Sequence, residues 1–306
     1  MKSSLAQERN TVITIGTFDG VHIGHQKIIQ RLIEVGKAKD LTPTILTFFP
    51  HPRMILQKDA NIKLINTLEE KESILKHFGL ENLVVEKFTK AFSRLTAQEF
   101  VETILVKQLK AKHVIIGYDH HFGRNRSANI EDLKAFGLQY RFEVEEITAQ
   151  DINDVSVSST KIRTALLDGD IKTANSYLGY PFIISGTVEK GKGLGRTIGF
   201  PTANIAVSQN YKLIPKQGVY VVKSEIDNKT IYGMMNIGTN PTFNGIVETT
   251  EVNFLNFDAD LYNKKITIEL LDRLRDEEKF QSVSDLKQQL IKDKNNALQF
   301  INNDAK

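Results

Sequence analysis

Two histidines, His22 and His25, close a turn that also carries Gly16, Gly20, Gly24 and the acidic Asp19. Side chains three apart share one side of a helix's first turn. A helix start offers free N–H groups and partial positive charge, which draw phosphate. Glycines let the backbone come close to a ligand. Two imidazoles in such a place can donate hydrogen bonds to phosphate oxygens as negative charge builds. That chemistry suits transfer of a nucleotidyl group from ATP, with pyrophosphate leaving.

A second dense constellation lies in the other half of the chain, from Gly191 through Lys192, Gly193, Leu194, Gly195, Arg196, Thr197, Ile198, Gly199, Phe200, Pro201, Thr202 and Ala203 to Asn204. Glycines alternating with basic and hydroxyl side chains suit a loop whose amides wrap a polyphosphate. The spacing is that of neither a Walker A loop nor a dinucleotide fingerprint. Thr202 and Asn204, two apart, fall on one face of an extended segment. Each offers a neutral oxygen of the kind Mg²⁺ accepts beside phosphate and water. Between the two stands Val157-Ser158-Ser159-Thr160-Lys161-Ile162-Arg163. Its hydroxyls and cations at a helix start form a further phosphate-binding surface.

The elements that must hold these groups can be read from periodicity. Apolar runs at 12–15, 44–49, 83–88 and 113–117 read as buried strands, and helical patterns over 24–39, 68–78 and 97–109 separate them. Thr67 with Glu70, and Thr96 with Glu99, have the spacing of capping boxes. Strands alternating with helices predict an α/β domain with a doubly wound, Rossmann-like parallel sheet. Ligands in such sheets lie beyond the carboxyl ends of the strands. The Gly16–His25 turn, the Phe49-Pro50-His51-Pro52-Arg53 loop and the Gly117–Arg126 loop all fall there. His51, between two prolines, is either a held ligand group or part of a rigid turn.

A helical run ends at Leu178-Gly179-Tyr180-Pro181, a stop signal, so the boundary is placed there: residues 1–180 and 181–306. Beyond it, short β-like runs at 182–188, 218–224, 229–237, 251–257 and 265–273 predict a small antiparallel β-barrel. A helix over 283–302 packs on it. The chain of 306 residues has length for two such domains. A net charge of +3 calls for no nucleic-acid partner. No apolar run is long enough to span a bilayer, and MKSSLAQERN is no signal peptide. The absence of cysteine excludes disulfides and thiolate metal sites and predicts a cytoplasmic protein. Self-association is left open. Asp119, His120 and His121 invite a metal reading, but adjacent residues rarely converge on one ion.

Several motifs carry a resemblance. G-T-F-D-G-V-H-I-G-H, from Gly16 to His25, resembles the H-x-G-H signature of the nucleotidyltransferase superfamily, and its F-D-G resembles that of the bacterial bifunctional riboflavin kinase/FMN adenylyltransferases (FAD synthetases). The Gly191–Asn204 stretch is similar to the riboflavin kinase signature G-x-G-x-G-R-x-x-G-F-P-T-A-N. Further matches are Gly218-Val219-Tyr220, Asn236-Ile237-Gly238, Pro241-Thr242-Phe243, Asp260-Leu261-Tyr262 and Arg273-x-Arg275-Asp276-Glu277. The resemblance implies an enzyme that phosphorylates riboflavin to FMN with MgATP and then adenylylates FMN to FAD, releasing pyrophosphate. It implies that Glu251 takes the proton and that Thr202 and Asn204 hold the metal. His22 and His25 then act on the leaving group. Gly16, Phe18, Asp19, Gly24, Asp119, Ser159, Thr160 and Arg163 line the first nucleotide site; Gly191, Gly193, Gly195, Arg196 and Arg275 belong to the second. The chain departs from the family at Phe49, His120, His121, Ala128, Lys161 and Asn253.

Two other readings compete. H-I-G-H also resembles class I aminoacyl-tRNA synthetases, which need a K-M-S-K-S-like loop that this sequence lacks. A non-catalytic flavin-binding regulator, one module having decayed, is the other.

Overall fold

The structure is a computed structural model that describes residues 9–57, 61–80, 82–117, 120–148, 157–191, 193–242 and 245–304. They form two compact units, one from Met1–Leu64 and Leu68–Ser158, the other from Ile65–Thr67 and Ser159–Lys306.

In the first unit, five parallel strands are ordered β3-β2-β1-β4-β5: β1 (Thr11–Ile15), β2 (Thr42–Phe49), β3 (Asn82–Lys87), β4 (Ala111–Gly117) and β5 (Glu143–Ile147). Helices α1 (Ile23–Lys39), α2 (Pro52–Leu56), α3 (Leu68–His77), α4 (Ala97–Phe100) and α5 (Ile130–Tyr140) accompany them. The continuation of α4, Val101–Gln108, is a π-helix, and the Thr96–Glu99 capping box is formed. Ile13, Leu46, Val114, Phe100 and Leu105 build a core on one side of the sheet. The doubly wound parallel sheet predicted from the sequence is present. Its edge strand β5, Glu-Val-Glu-Glu-Ile, escaped that reading because an edge strand can be charge-rich.

In the second unit, α6 (Ser159–Asp168) and α7 (Ile171–Leu178) lead into a closed barrel of order β10-β7-β6-β11-β8-β9. Its strands are β6 (Phe182–Glu189), β7 (Ala203–Ala206), β8 (Gly218–Ile226), β9 (Lys229–Thr242), β10 (Gly245–Phe254) and β11 (Lys265–Arg275). One helical turn, α8 (Leu194–Thr197), interrupts the glycine-rich loop, and α9 (Val283–Asp304) follows the last strand. Asn175 fastens α7 to the barrel, donating to the Leu270 carbonyl at 2.9 Å and accepting from the Phe182 N–H at 2.7 Å. Closure removes the exposed edges of the sheet. The sixth strand, β7, is four residues long and directly follows the glycine-rich loop, too brief to show a period.

Candidate active sites

The first site forms where the strand order of the parallel sheet reverses, between β1 and β4. A switch point of this kind opens a crevice beyond the carboxyl ends of the strands. The Gly16–His25 loop leaves β1 there and enters α1. His22 caps that helix, its Nδ1 accepting the His25 N–H at 3.4 Å, so the ring hydrogen of a neutral His22 lies on Nε2. The two imidazoles stack with centroids 3.6 Å apart and planes 16° from parallel. Phe18 packs beside His25 at 4.8 Å. Burial is the main reason that His22 titrates at about 4, with the Asp19 charge opposing it. His25 lies well below its ordinary value, again through burial, helped by His22 and Lys71. Both rings are therefore neutral at pH 7, and His25 Nδ1 is buried with no hydrogen-bond partner among the described residues. Such a pair supplies N–H donors without carrying charge.

The loop is braced from outside. The Thr17 carbonyl accepts from Thr47 Oγ1 at 3.2 Å and from Lys71 Nζ at 2.6 Å. Phe18 and Asp19 are buried, as is Gly24 in the first turn of α1. The sequence reading missed Thr47 and Lys71. The available signal was a lysine on the stripe of α3 that also holds Ile74 and Leu75.

An unfolded chain protonates these histidines near pH 6.5, whereas folded His22 resists until about 4. Stability is thus intact above 6.5 and declines as the pH falls toward 4, by on the order of 3 kcal/mol for His22. The thermal midpoint of the first unit is expected to drop between pH 7 and pH 5. His22→Asn, which keeps a capping side chain, should lose less in the same calorimetric comparison.

Of the remaining expected groups, His51 caps α2, accepting the Arg53 N–H at 3.2 Å, so the rigid loop is a helix entry. Asp119 lies outside the described residues. His120 stacks on Phe122 at 6.2 Å. Among the described residues, no group of three or more His, Asp or Glu is arranged to hold a metal ion. Ser159 and Thr160 open α6, with Arg163 on its next turn.

The second site belongs to the barrel. Strand β7 lies between β6 and β10, and its register sets Asn204 opposite Glu251 and Ala203 opposite Val252. Thr202 Oγ1 donates to Glu251 Oε2 at 3.1 Å. Asn253, on the same face of β10 as Glu251, donates to the Pro201 carbonyl at 2.7 Å and pins the turn before Thr202. Thr202, Asn204 and Glu251 are thus gathered at one place. Two glycines are needed for close approach: a Cβ on Gly191 would stand 2.1 Å from Asn204 Nδ2, and one on Gly195 2.2 Å from the Phe200 carbonyl. Gly193 sits at φ 69° at the start of α8, and Arg196, within α8, is exposed.

The Thr202 hydroxyl and the Asn204 amide offer neutral oxygens of the kind Mg²⁺ accepts together with phosphate oxygens, and the Glu251 carboxylate stands beside them. Gly191→Ala is expected to displace Asn204 and raise the KM for ATP in the second site about tenfold or more. The shift in thermal midpoint should be small, because the displaced group ends a flexible side chain; steady-state kinetics and a melt check both.

Arg275 is otherwise engaged. Its Nε and Nη2 bond both oxygens of Asp293 on α9, at 2.7 to 3.1 Å, and Nη1 bonds the Asp276 carbonyl. In the same unit a cavity of about 490 Å³ is lined by Leu167, Pro215, Lys216, Glu248, Asp276 and Glu277, among others.

Residues 4–161 match the FAD synthetase family and residues 178–301 the riboflavin kinase family. The chain belongs to the bifunctional riboflavin kinase/FMN adenylyltransferases. It is 37% identical over 303 residues to the bifunctional riboflavin kinase/FMN adenylyltransferase of Bacillus subtilis (strain 168), covering 97% of this chain and 94% of the relative. The protein of that name from Listeria monocytogenes is 39% identical over 294 residues, 95% and 93% of the two chains. A crystal structure described as a macrolide-efflux protein from Streptococcus pneumoniae superposes with a TM-score of 0.86 at 35% identity, over 95% of this chain and 94% of that one. Among the described residues of this family member, no helix is long and apolar enough to cross a membrane. The family match also decides against the aminoacyl-tRNA synthetase reading.

Proposed function

We propose that the two sites run consecutive reactions on one vitamin. At the barrel, Glu251 accepts the proton of the terminal ribityl hydroxyl of riboflavin as its oxygen attacks the γ-phosphorus of ATP. The bond to the β-phosphate oxygen breaks, and FMN and ADP result. Thr202 and Asn204 would hold Mg²⁺, which would supply positive charge to offset that of the ATP phosphates. The amides around Gly191, Gly193 and Gly195, with Arg196, take the phosphate chain. The cleft of about 490 Å³ in the same unit has the volume range of a small-molecule site.

At the parallel sheet, a phosphate oxygen of FMN attacks the α-phosphorus of a second ATP, and pyrophosphate departs. That nucleophile is already ionised at neutral pH, since the second phosphate pKa is about 6, so no general base is required. Neutral His22 and His25 match this need: they donate to the phosphate oxygens as charge develops. Ser159, Thr160 and Arg163 are assigned to ATP phosphates on the strength of their motif alone. Arg275 acts in the second site indirectly, by fastening α9 to the end of β11 through Asp293. The enzyme works in the cytoplasm, in keeping with its lack of cysteine, and its partners are riboflavin, FMN, FAD and ATP.

The observation that carries the reading is the meeting of Thr202, Asn204 and Glu251 at one strand pairing, with a separate stacked histidine pair in the same chain. Incubating the purified protein with riboflavin, ATP and Mg²⁺ and separating the products tests it. FMN followed by FAD is expected; the appearance of neither would end the proposal, and would favour the flavin-binding regulator.

A further inference from the structure

Lys71 is a charged residue on the apolar stripe of α3, and only 4% of it is exposed. Lysine is almost never buried so fully without a purpose for its charge. Its Nζ reaches the Thr17 carbonyl at 2.6 Å, beside the Thr47 hydroxyl on the same oxygen. Immediately beyond, Phe18 and Val21 adopt φ of 45° and 37°. Left-handed backbone is costly for residues with side chains and persists only where the surroundings enforce it. Two donors on one carbonyl, arriving from β2 and α3, provide that enforcement. Asp19, 1% exposed, interacts electrostatically with Lys71 on one side and with His22 on the other.

We propose that Lys71 is a positioning residue of the adenylyl-transfer centre, whose ammonium clamps the Thr17 carbonyl and offsets the Asp19 charge so that the loop can receive a polyphosphate. The inference rests on the assignment of that reaction to His22 and His25. A buried carboxylate with no counter-charge would repel an entering triphosphate strongly, because little water intervenes to screen it. The Lys71 ammonium removes that repulsion. It also helps keep His25 neutral. Burial lowers the Lys71 pKa to about 8, which leaves it protonated at neutral pH. The charge also contributes to stability, since removing one member of a buried charged pair leaves the other uncompensated.

The test compares Lys71→Met, Lys71→Arg and, in parallel, His25→Asn in the full chain. Riboflavin phosphorylation serves as the internal control, because Lys71 has no place in that site. At a temperature where it is folded, Lys71→Met is expected to keep FMN formation within twofold, while kcat for FMN-to-FAD conversion falls about 10- to 100-fold. Its thermal midpoint should fall, because Asp19 loses its counter-charge. In ¹⁵N spectra its His25 resonance should titrate at higher pH than in the parent, a change that a packing role would not produce. Lys71→Arg, which keeps charge and donor, should retain conversion within about fivefold.

Full conversion by Lys71→Met, or an unshifted His25 titration, overturns the proposal. If Lys71→Met does not fold, Lys71→Arg decides: a folded protein with more than about 50-fold loss overturns it, and retained conversion supports it. His25→Asn separates the two levels. If it converts FMN normally, the assignment of the centre itself has failed; if it is inactive while Lys71→Met is active, only the role of Lys71 has.

Discussion

Glu251→Gln is expected to lower riboflavin phosphorylation by two to four orders of magnitude and to leave FMN-to-FAD conversion within about twofold. The size follows from removing a general base at a hydroxyl that cannot ionise unaided, the usual effect being 10²–10⁴. The substitution is nearly isosteric, and Gln can still accept the Thr202 hydroxyl, which now bonds Glu251 at 3.1 Å. Folding should therefore be preserved, so the loss belongs in kcat and the KM for ATP should change little. Assaying the two steps separately, with riboflavin and then with FMN as the starting flavin, checks this. Loss of both activities in a folded protein would refute separable sites. Glu248, three residues earlier and exposed, makes the comparison sharper: Glu248→Gln should leave FMN formation largely intact if Glu251 is the base.

How far the sequence could be read depended on whether a signal was local. Strands β1, β2 and β4 each carry a buried apolar stretch, such as Ile45-Leu46 and Val114-Ile115-Ile116, because both faces of the sheet are covered, and such runs show in any window. The Thr96–Glu99 box declared its helix through two residues. The candidate groups His22, His25, Thr202 and Asn204 lay within short motifs whose glycines mark close backbone approach. Other features depended on partners far away in the chain. Strand β7 exists because β6 and β10 flank it, and a stretch beginning Ala203-Asn204 has no pattern of its own. Lys71 looks like one more helical charge until Thr17, 54 positions away, is brought beneath it. Arg275 could be numbered into a motif, but its carboxylate partner on α9 could not be foreseen. Chain separation, more than chemical subtlety, set the limit.

That partner supports the second large prediction. Asp293→Ala should destabilise the second unit by about 3–5 kcal/mol, the usual cost of leaving a buried charge without its counter-ion. Asp293 is 1% exposed and accepts three bonds from Arg275 and one from Gln289. Beside it, Ala297 packs with Val221, Met234 and Leu255, so the ion pair helps fasten α9 to the barrel. The urea midpoint for loss of riboflavin phosphorylation measures the effect directly. Asp293→Asn, which still accepts a hydrogen bond, should lose less than Asp293→Ala. Arg275→Met combined with Asp293→Leu should recover most of the loss, because it removes both charges and leaves apolar volume in their place. The double variant also separates two meanings of Arg275. If it is stable and its KM for ATP is unchanged, the guanidinium is a clip for α9; if it is stable and that KM rises tenfold, Arg275 also serves the phosphate chain as its motif implies.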